Sequence, residues 1–172
     1  MASVTYDDLE AHFGLLKESP EKFLELANKF VKNHSEHAGG YFSRHFAWAK
    51  LGQMQRALED IETSLRLEPH GATYRAKGKL LHQMGRYQKA IDALNQAKDI
   101  DPAMWRDAFG PLYRADCYAR LGNEAAALAD CMLLVDDHFL PHGLSGTPRG
   151  NKQQVIEEIR RRAAAARQKP PV

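Results

Sequence analysis

The sequence predicts an all-α fold in which helical hairpins stack into a right-handed superhelix of about eight or nine helices. Apolar residues recur every three or four positions through most of the 172-residue chain, which is the period of one helix face. Glycine and proline divide these helices into pairs, and the pairs repeat at intervals of 33 and 37 residues. A lone hairpin cannot bury its apolar faces, so a stack of hairpins gives this chain its core.

The clearest hairpin spans residues 73–102. Leu81 and Met84 lie on one face of its first helix, and Gly85 ends that helix because glycine readily adopts a positive φ. A second helix ends before Pro102, since proline disfavours helical backbone in the residue that precedes it. We therefore predict two helices that meet at Gly85.

The same pattern occurs before and after this hairpin. Gly52 and Gly85 mark turns 33 residues apart, and Gly122 marks a third turn 37 residues after Gly85. The four additional residues fall within 103–110, ahead of the third pair of helices, and the closing proline of the third copy is Pro141. We assign the three repeats to residues 41–70, 71–102 and 103–141.

Residues 1–40 are expected to form N-terminal capping helices. The first is predicted over 6–17. The second begins at Ser19-Pro20, which combines a serine N-cap with proline in the first helical turn. A break is expected over 34–40, which ends in two glycines.

The C-terminal part is expected to cover the other end of the same single domain, residues 1–172. Residues 142–150 are rich in glycine, proline and serine, so we predict an irregular linker. Residues 151–172 are predicted to form a C-terminal capping helix, with Asn151 as its N-cap, and a basic tail.

The hairpin resembles the tetratricopeptide repeat, which has a small residue in its first helix, an alanine early in the second and a closing proline. The corresponding positions are Gly78, Ala90 and Pro102 in the middle copy, His45, Ala57 and Pro69 in the first, and Ala115 and Ala127 in the third. This resemblance covers about 100 residues, 41–141. It implies a protein–protein interaction module in which the first helix of each pair lines a concave groove.

Side chains of these first helices that lie off the packing stripe are the candidate partner-binding residues. They mix aromatic and cationic groups, a composition that suits an extended peptide or a partner helix. For Phe42 and Phe46 the alternative is packing against the second N-terminal helix. The predicted groove residues are Arg75, Lys79, His82, Phe109, Tyr113, Asp116, Arg120, Phe42 and Phe46.

One known function of the resembling family is not expected. Tetratricopeptide domains that clamp the C-terminal carboxylate of heat-shock chaperones use lysine, asparagine and arginine at five positions. The matching positions here hold Phe42, Phe46, Ala76, Phe109 and Tyr113. The sequence therefore argues against a chaperone-tail adaptor.

No enzymatic motif is visible. The sequence has no glycine-rich phosphate loop and no G-x-S-x-G element, and its histidines lack the spacing of a zinc site. Cys117 and Cys131 lie at positions predicted to face the core. We therefore expect no catalytic residues, no metal, no cofactor and no small-molecule substrate.

Charge and hydropathy bear on location and on an alternative function. No secretory signal or membrane-spanning run is visible, and two cysteines suit a reducing compartment, so a cytoplasmic protein is expected. The net charge is +2, but residues 149–172 carry +5. A solvated helix end accounts for this run, and nucleic-acid binding is the alternative.

The leading functional hypothesis is thus a non-enzymatic module that binds a peptide or partner domain in its groove. A narrower hypothesis is a small protein dedicated to one partner, such as a toxin-neutralising immunity protein or an effector chaperone. Homo-oligomerisation through a terminal helix is left open by the sequence.

Overall fold

A computed structural model describes residues 4–107, 109–134 and 146–168. These residues form 11 α-helices and no β-strand, so the predicted all-α class is confirmed. The helices are α1 (Tyr6–Ala11), α2 (Leu15–Glu18), α3 (Pro20–Asn33), α4 (Ala38–Lys50), α5 (Met54–Leu67), α6 (Gly71–Gln83), α7 (Tyr87–Ile100), α8 (Pro102–Asp107), α9 (Gly110–Arg120), α10 (Glu124–Cys131) and α11 (Lys152–Arg167).

Three helical hairpins, α4/α5, α6/α7 and α9/α10, form the body of the molecule. Each turn contains the predicted glycine, and the φ angles of Gly52, Gly85 and Gly122 are 74°, 73° and 80°. Residues with a Cβ are strained in this left-handed region, so glycine fixes the position of each turn. Successive hairpins pack through α5 against α6 and α7 against α9.

The core follows the hairpins along the chain. One apolar cluster joins α1–α4, a second joins α4–α7 with Cys117, and a third joins α9–α11. Close approach within the middle hairpin depends on Gly78, because a Cβ there would lie 2.6 Å from Cγ of Leu94. His45 occupies the equivalent position in the first hairpin and is buried there.

A polar contact recurs between hairpins. The first helix of each pair places a cation against the second helix of the preceding element: Arg44 donates to Asn28 at 3.0 Å, Lys77 pairs with Glu62 at 3.0 Å, and Arg114 donates to Asn95 at 2.6 Å. These three cations stand at equivalent repeat positions, so the repeat extends to the polar contacts between neighbouring hairpins.

Two of these cations also bind an aspartate of their own hairpin. Arg44 makes two hydrogen bonds to Asp60 at 2.7 and 2.8 Å, and Arg114 makes two to Asp130 at 2.6 and 2.7 Å. The middle hairpin has Ala93 at the equivalent position and lacks this pair. The two helices of the first and third hairpins are therefore joined by buried bidentate ion pairs.

The single helix predicted over 6–17 is wrong. The structure has α1 and α2 instead, separated at His12–Gly14. Thr5 and Asp8 form a capping box that starts α1, while the side chain of His12 hydrogen-bonds the Asp8 carbonyl at 2.7 Å. A side chain that occupies a helix carbonyl favours the end of the helix at that point.

The break predicted over 34–40 is shorter than expected. α4 begins at Ala38, and the His37 side chain caps it by accepting from the Gly40 backbone N–H at 3.3 Å. Gly39 and Gly40 therefore lie inside the helix. A Cβ at Gly40 would lie 2.6 Å from the Phe30 ring, so this glycine provides close packing of α3 on α4.

The additional residues of the third repeat contain α8. Asp101 caps it by accepting from the Met104 backbone N–H at 2.9 Å, and Trp105 is buried between the side chains of Lys98 and Arg114. This helix and the division of the first one raise the count above the predicted eight or nine. The predicted closing residue Pro141 lies outside the described residues.

The C-terminal helix α11 packs on α9 and α10. Asn151 caps it, the role predicted from the sequence, and forms a capping box with Gln154. Val155, Ile159 and Ala163 face inward and are fully buried. Residues 146–150 of the predicted linker form no helix; residues 142–145 of the linker and 169–172 of the basic tail lie outside the described residues.

Candidate functional site

The first helices of the three hairpins share one side of the molecule, here called the concave face. Arg75, Lys79 and His82 lie four and three residues apart, and so on one face of α6. The His82 ring contacts the ring of Tyr113 on α9, with centroids 5.4 Å apart. The charge of Lys79 contributes to lowering the pKa of His45 of α4, so side chains of α4, α6 and α9 lie near one another on this face.

One part of the concave face is occupied by an internal network around Asp116. This carboxylate is fully buried and accepts from His82 Nε2 at 2.6 Å, Arg120 Nε at 2.7 Å and Arg162 Nη1 at 2.5 Å. Burial alone would raise the pKa of Asp116. The hydrogen bonds from His82 and Arg120 and the positive charges of Arg162 and Arg120 outweigh burial, so the pKa is lowered.

The Asp116 network also fixes the segment that precedes α11. Arg120 and Arg162 both donate to the Gly146 carbonyl, at 3.1 and 2.7 Å. Arg120 donates to the Tyr87 hydroxyl at 3.1 Å as well. Three predicted groove residues, His82, Asp116 and Arg120, thus make their contacts within the chain. Sequence reasoning missed Arg162 because it lies 46 residues beyond Asp116 on another helix.

The three predicted phenylalanines take part in packing and keep partial exposure. Phe46 makes edge contacts with Phe13 and Phe42, with centroids 5.2 and 5.3 Å apart, and packs on the N-terminal core. For Phe46 the alternative, packing against the second N-terminal helix, stays a prediction. Phe109 is the N-cap of α9 with φ 63°, and it packs on the α9–α11 core.

In the middle of the concave face, buried polar atoms lack hydrogen-bond partners within the described residues. Four buried side-chain polar atoms in the described ranges lack a hydrogen-bond partner, and three of them, Arg75 Nε, Tyr113 Oη and His82 Nδ1, belong to this face. A buried polar group without a partner costs about 1–3 kcal/mol. Neither Arg75 nor Lys79 forms an ion pair within these ranges. We call Lys50, Arg75, Lys79 and Tyr113 the basic centre.

All the charged side chains of the basic centre are positive. Burial lowers the pKa of Arg75, and burial together with the charges of Arg75 and Lys50 lowers the pKa of Lys79. Burial raises the pKa of Tyr113 to about 12, although the Arg75 charge opposes the rise. The tyrosine therefore stays protonated as a hydrogen-bond donor. Partly buried positive charges with shifted pKa values are typical of a binding site.

The described residues also bear on two other kinds of site, a metal site and a nucleophilic cysteine. They contain no cluster of three or more histidine, cysteine or acidic side chains suited to a metal ion. Cys117 and Cys131 are buried thiols, and burial raises their pKa values to about 12 and 11, so both remain protonated and poorly nucleophilic.

The basic residues of α11 are largely paired with carboxylates. Arg161 and Arg162 bind Glu158 at 2.7 and 2.6 Å, and Arg167 binds Glu124 of α10 at 2.9 Å. These contacts reduce the positive potential that nucleic acid would require. No helix in the part of the chain that the structure describes is long and apolar enough to span a bilayer.

Comparison with known proteins identifies the repeat. Residues 71–103 match the family model of the tetratricopeptide repeat. A 65-residue stretch is 34% identical to the small glutamine-rich tetratricopeptide repeat-containing protein 2 of Mycosarcoma maydis. This match covers 37% of the chain and 18% of the relative's length.

Solved structures show the same fold at low sequence identity. MamA from Desulfovibrio magneticus, from residue 41 onward, superposes with a TM-score of 0.65 at 17% identity, over 94% of each chain. YrrB, described as a tetratricopeptide-repeat protein with an unusual peptide-binding site, gives 0.62 at 19% identity over 73% of this chain and 65% of its own.

The fold class is therefore that of right-handed α-α solenoids, which present extended concave surfaces. The chain carries the tetratricopeptide repeat and has the fold of tetratricopeptide-repeat proteins, so the predicted resemblance is confirmed.

Proposed function

We propose that this chain is a non-enzymatic module that holds a segment of a partner protein in its groove, across α4, α6 and α9. One observation carries the proposal: the basic centre presents buried donors without partners, whereas Asp116, His82 and Arg120 beside it are paired within the chain. An unsatisfied, partly desolvated cluster on a concave surface is a place where a ligand gains the most free energy.

The neighbouring aromatic side chains support a peptide as the ligand. Phe42 and Phe46 occupy the positions in α4 that Arg75 and Lys79 occupy in α6, and both are partly exposed. The groove therefore offers apolar contact next to cationic contact, the combination that peptide grooves use. The structurally similar YrrB is described as having a peptide-binding site, which supports a peptide as the ligand.

We place this function in the cytoplasm. Cys117 and Cys131 are free thiols in the structure, as expected for a reducing compartment. The ion pairs of α11 favour a protein partner over nucleic acid.

Affinity purification from the native host with matched variants tests the proposal. Arg75→Gln with Lys79→Gln removes two charges from the basic centre. Lys29→Gln with Lys89→Gln removes two charges from exposed lysines of α3 and α7 that form no ion pair within the described ranges. We expect wild type and the control to recover the same partner, and the groove variant to lose it.

Circular dichroism would establish that both variants are folded. Recovery of one dominant protein would indicate a dedicated partner, and recovery of several would indicate a general adaptor. Equal recovery by the groove variant and the control would contradict the proposed binding surface.

A further inference from the structure

We infer that the basic centre binds a carboxylate of the partner, so that the groove selects an acidic segment flanked by apolar side chains. This inference rests on the proposed function and names the chemistry that the groove recognises. It is argued from the donors, the charges and the adjacent Asp116 network.

The unpaired groups of the basic centre are donors that lack an acceptor. Arg75 Nε–H and Tyr113 O–H are buried and have no hydrogen-bond partner in the part of the chain that the structure describes. Lys79 lies one turn after Arg75 on the same face of α6, and Tyr113 faces them from α9 through its contact with His82. Hydrogen-bond donors from two helices thus lack an acceptor here. We expect the ligand to supply one.

The ligand group must also be negative. Lys50, Arg75 and Lys79 bring three positive charges together, and no acidic side chain of the described ranges pairs with Arg75 or Lys79. Burial lowers the pKa values of both Arg75 and Lys79, and the charges of Arg75 and Lys50 lower that of Lys79 further. A bound anion would offset the burial of both charges and the repulsion at Lys79. A neutral acceptor would satisfy the hydrogen bonds and leave the repulsion in place.

The same face already holds a carboxylate one turn away. Asp116 lies three residues after Tyr113 on α9, and it is held by a histidine and two arginines. The basic centre offers a comparable set of donors, an arginine, a lysine and a tyrosine, without an internal acid. A carboxylate has two acceptor oxygens, so one such group could accept from both buried donors, Arg75 Nε–H and Tyr113 O–H.

NMR of the full-length chain can observe this contact directly, through the ¹H–¹⁵N signal of Arg75 Nε. The probes are blocked nonapeptides with Leu-Glu-Leu, Leu-Gln-Leu or Leu-phosphoserine-Leu at the centre and glycine-serine flanks. A fourth peptide carries the glutamine and a free C-terminal carboxylate. We expect the glutamate peptide to shift the Arg75 signal downfield in a saturable manner, and the blocked glutamine peptide to have at least about tenfold weaker affinity.

The fourth peptide separates two sources of the carboxylate. Weaker binding than that of the glutamate peptide would support the acidic side chain as the ligand. Binding as tight as that of the glutamate peptide would overturn the acidic segment in favour of a chain terminus. Tighter binding of the phosphoserine peptide would overturn the carboxylate assignment in favour of a phosphate site.

Isosteric variants assign the contact to individual donors. Tyr113→Phe removes one hydroxyl, and we expect about tenfold weaker binding of the glutamate peptide. Tyr118→Phe, on the same helix, is the matched control and should leave the affinity unchanged. Lys79→Gln should weaken binding, whereas Lys89→Gln on α7 should not.

Equal affinities for the blocked glutamine and glutamate peptides, or no saturable shift with either, would overturn the inference. The proposed function would survive if the host partner were still lost from the Arg75→Gln/Lys79→Gln variant. Conversely, saturable carboxylate binding together with an unaltered set of purified partners would overturn the proposed function alone.

Discussion

At the scale of single residues, the basic centre makes the unliganded protein less stable than its fold allows. Burial and two neighbouring cations disfavour the charged form of Lys79, which lowers its pKa. Selection for stability alone would remove such a charge, so its presence is typical of a binding residue that trades stability for function.

Lys79→Met should therefore stabilise the protein while it weakens binding. Methionine keeps an apolar stem of similar length and removes the repelled charge. We expect the Tm to rise by about 2–4 °C, which corresponds to roughly 1 kcal/mol in a domain of this size. Thermal unfolding followed by circular dichroism measures this change. A lower Tm than wild type would indicate that Lys79 serves the fold.

His45 should make stability fall in mild acid. Burial lowers its pKa to about 4, against the hydrogen bond that its Nδ1–H donates to the Phe42 carbonyl, and the nearby Lys79 charge adds to the lowering. The unfolded chain binds this proton below about pH 6.5 and the folded chain only below about pH 4. The free energy of unfolding should thus decrease between these values by up to about 3 kcal/mol.

Urea denaturation at pH 7, 5.5 and 4.5 tests this dependence against His45→Ala, which introduces the residue that Ala115 provides in the third hairpin. The variant should be less stable at pH 7 and lose less stability on acidification. An identical loss in both proteins would assign the acid sensitivity to other groups.

Helical spacing in the sequence predicted that Arg75 and Lys79 share a face of α6, and the tetratricopeptide resemblance implied that Tyr113 of α9 lies on the same side of the molecule. It could not separate them from His82, Asp116 and Arg120, because that distinction depends on Arg162 and Gly146. Gly146 lies within the predicted linker and Arg162 lies beyond it, and neither contact has a local sequence signal. The shared face was therefore predictable, whereas the internal pairing of His82, Asp116 and Arg120 was not.

At the scale of helices, buried Arg–Asp pairs join the first and third hairpins while the middle hairpin lacks one. Arg114→Met would leave Asp130 buried without its partner, and we expect a destabilisation of about 3 kcal/mol. Arg114→Lys combined with Asp130→Ala would reproduce Lys77 and Ala93 of the middle hairpin. We expect this double variant to recover most of the loss.

Urea denaturation of the single and double variants measures both effects, and the midpoints can be compared at equal m-values. A double variant that is as unstable as Arg114→Met would show that the arginine contributes mainly through its contacts with Asn95 and Trp105. Recovery of stability by the double variant would show that the unpaired charge of Asp130 causes the destabilisation in Arg114→Met.

Helix boundaries were predictable where the signal is local. The turn glycines and the Asn151 cap act on their own backbone, and the structure has them at the predicted positions. Gly40 was assigned to a break because its reason for being glycine is the ring of Phe30, ten residues earlier on another helix. The break after α1 depends likewise on the hydrogen bond between the His12 side chain and the Asp8 carbonyl. The spacing of apolar residues does not reveal this contact.

At the scale of the whole molecule, the side chains of the proposed groove differ in chemistry along its length. The α4 region offers Phe42 and Phe46, the middle offers the basic centre, and the Asp116 network holds the segment before α11 on the remaining part. A partner segment that binds across these helices would place an acidic residue near Arg75 and apolar residues beside it.

A charge exchange between Lys79 and the ligand tests this account most directly. Wild type and Lys79→Glu would each be titrated with the blocked Leu-Glu-Leu peptide and with a matching Leu-Lys-Leu peptide. We predict that wild type prefers the glutamate peptide by at least about tenfold and that Lys79→Glu loses or reverses this preference. Unchanged preference in the variant, or equal binding of both peptides by wild type, would contradict the central claim that the groove recognises its partner through a negative charge at the basic centre.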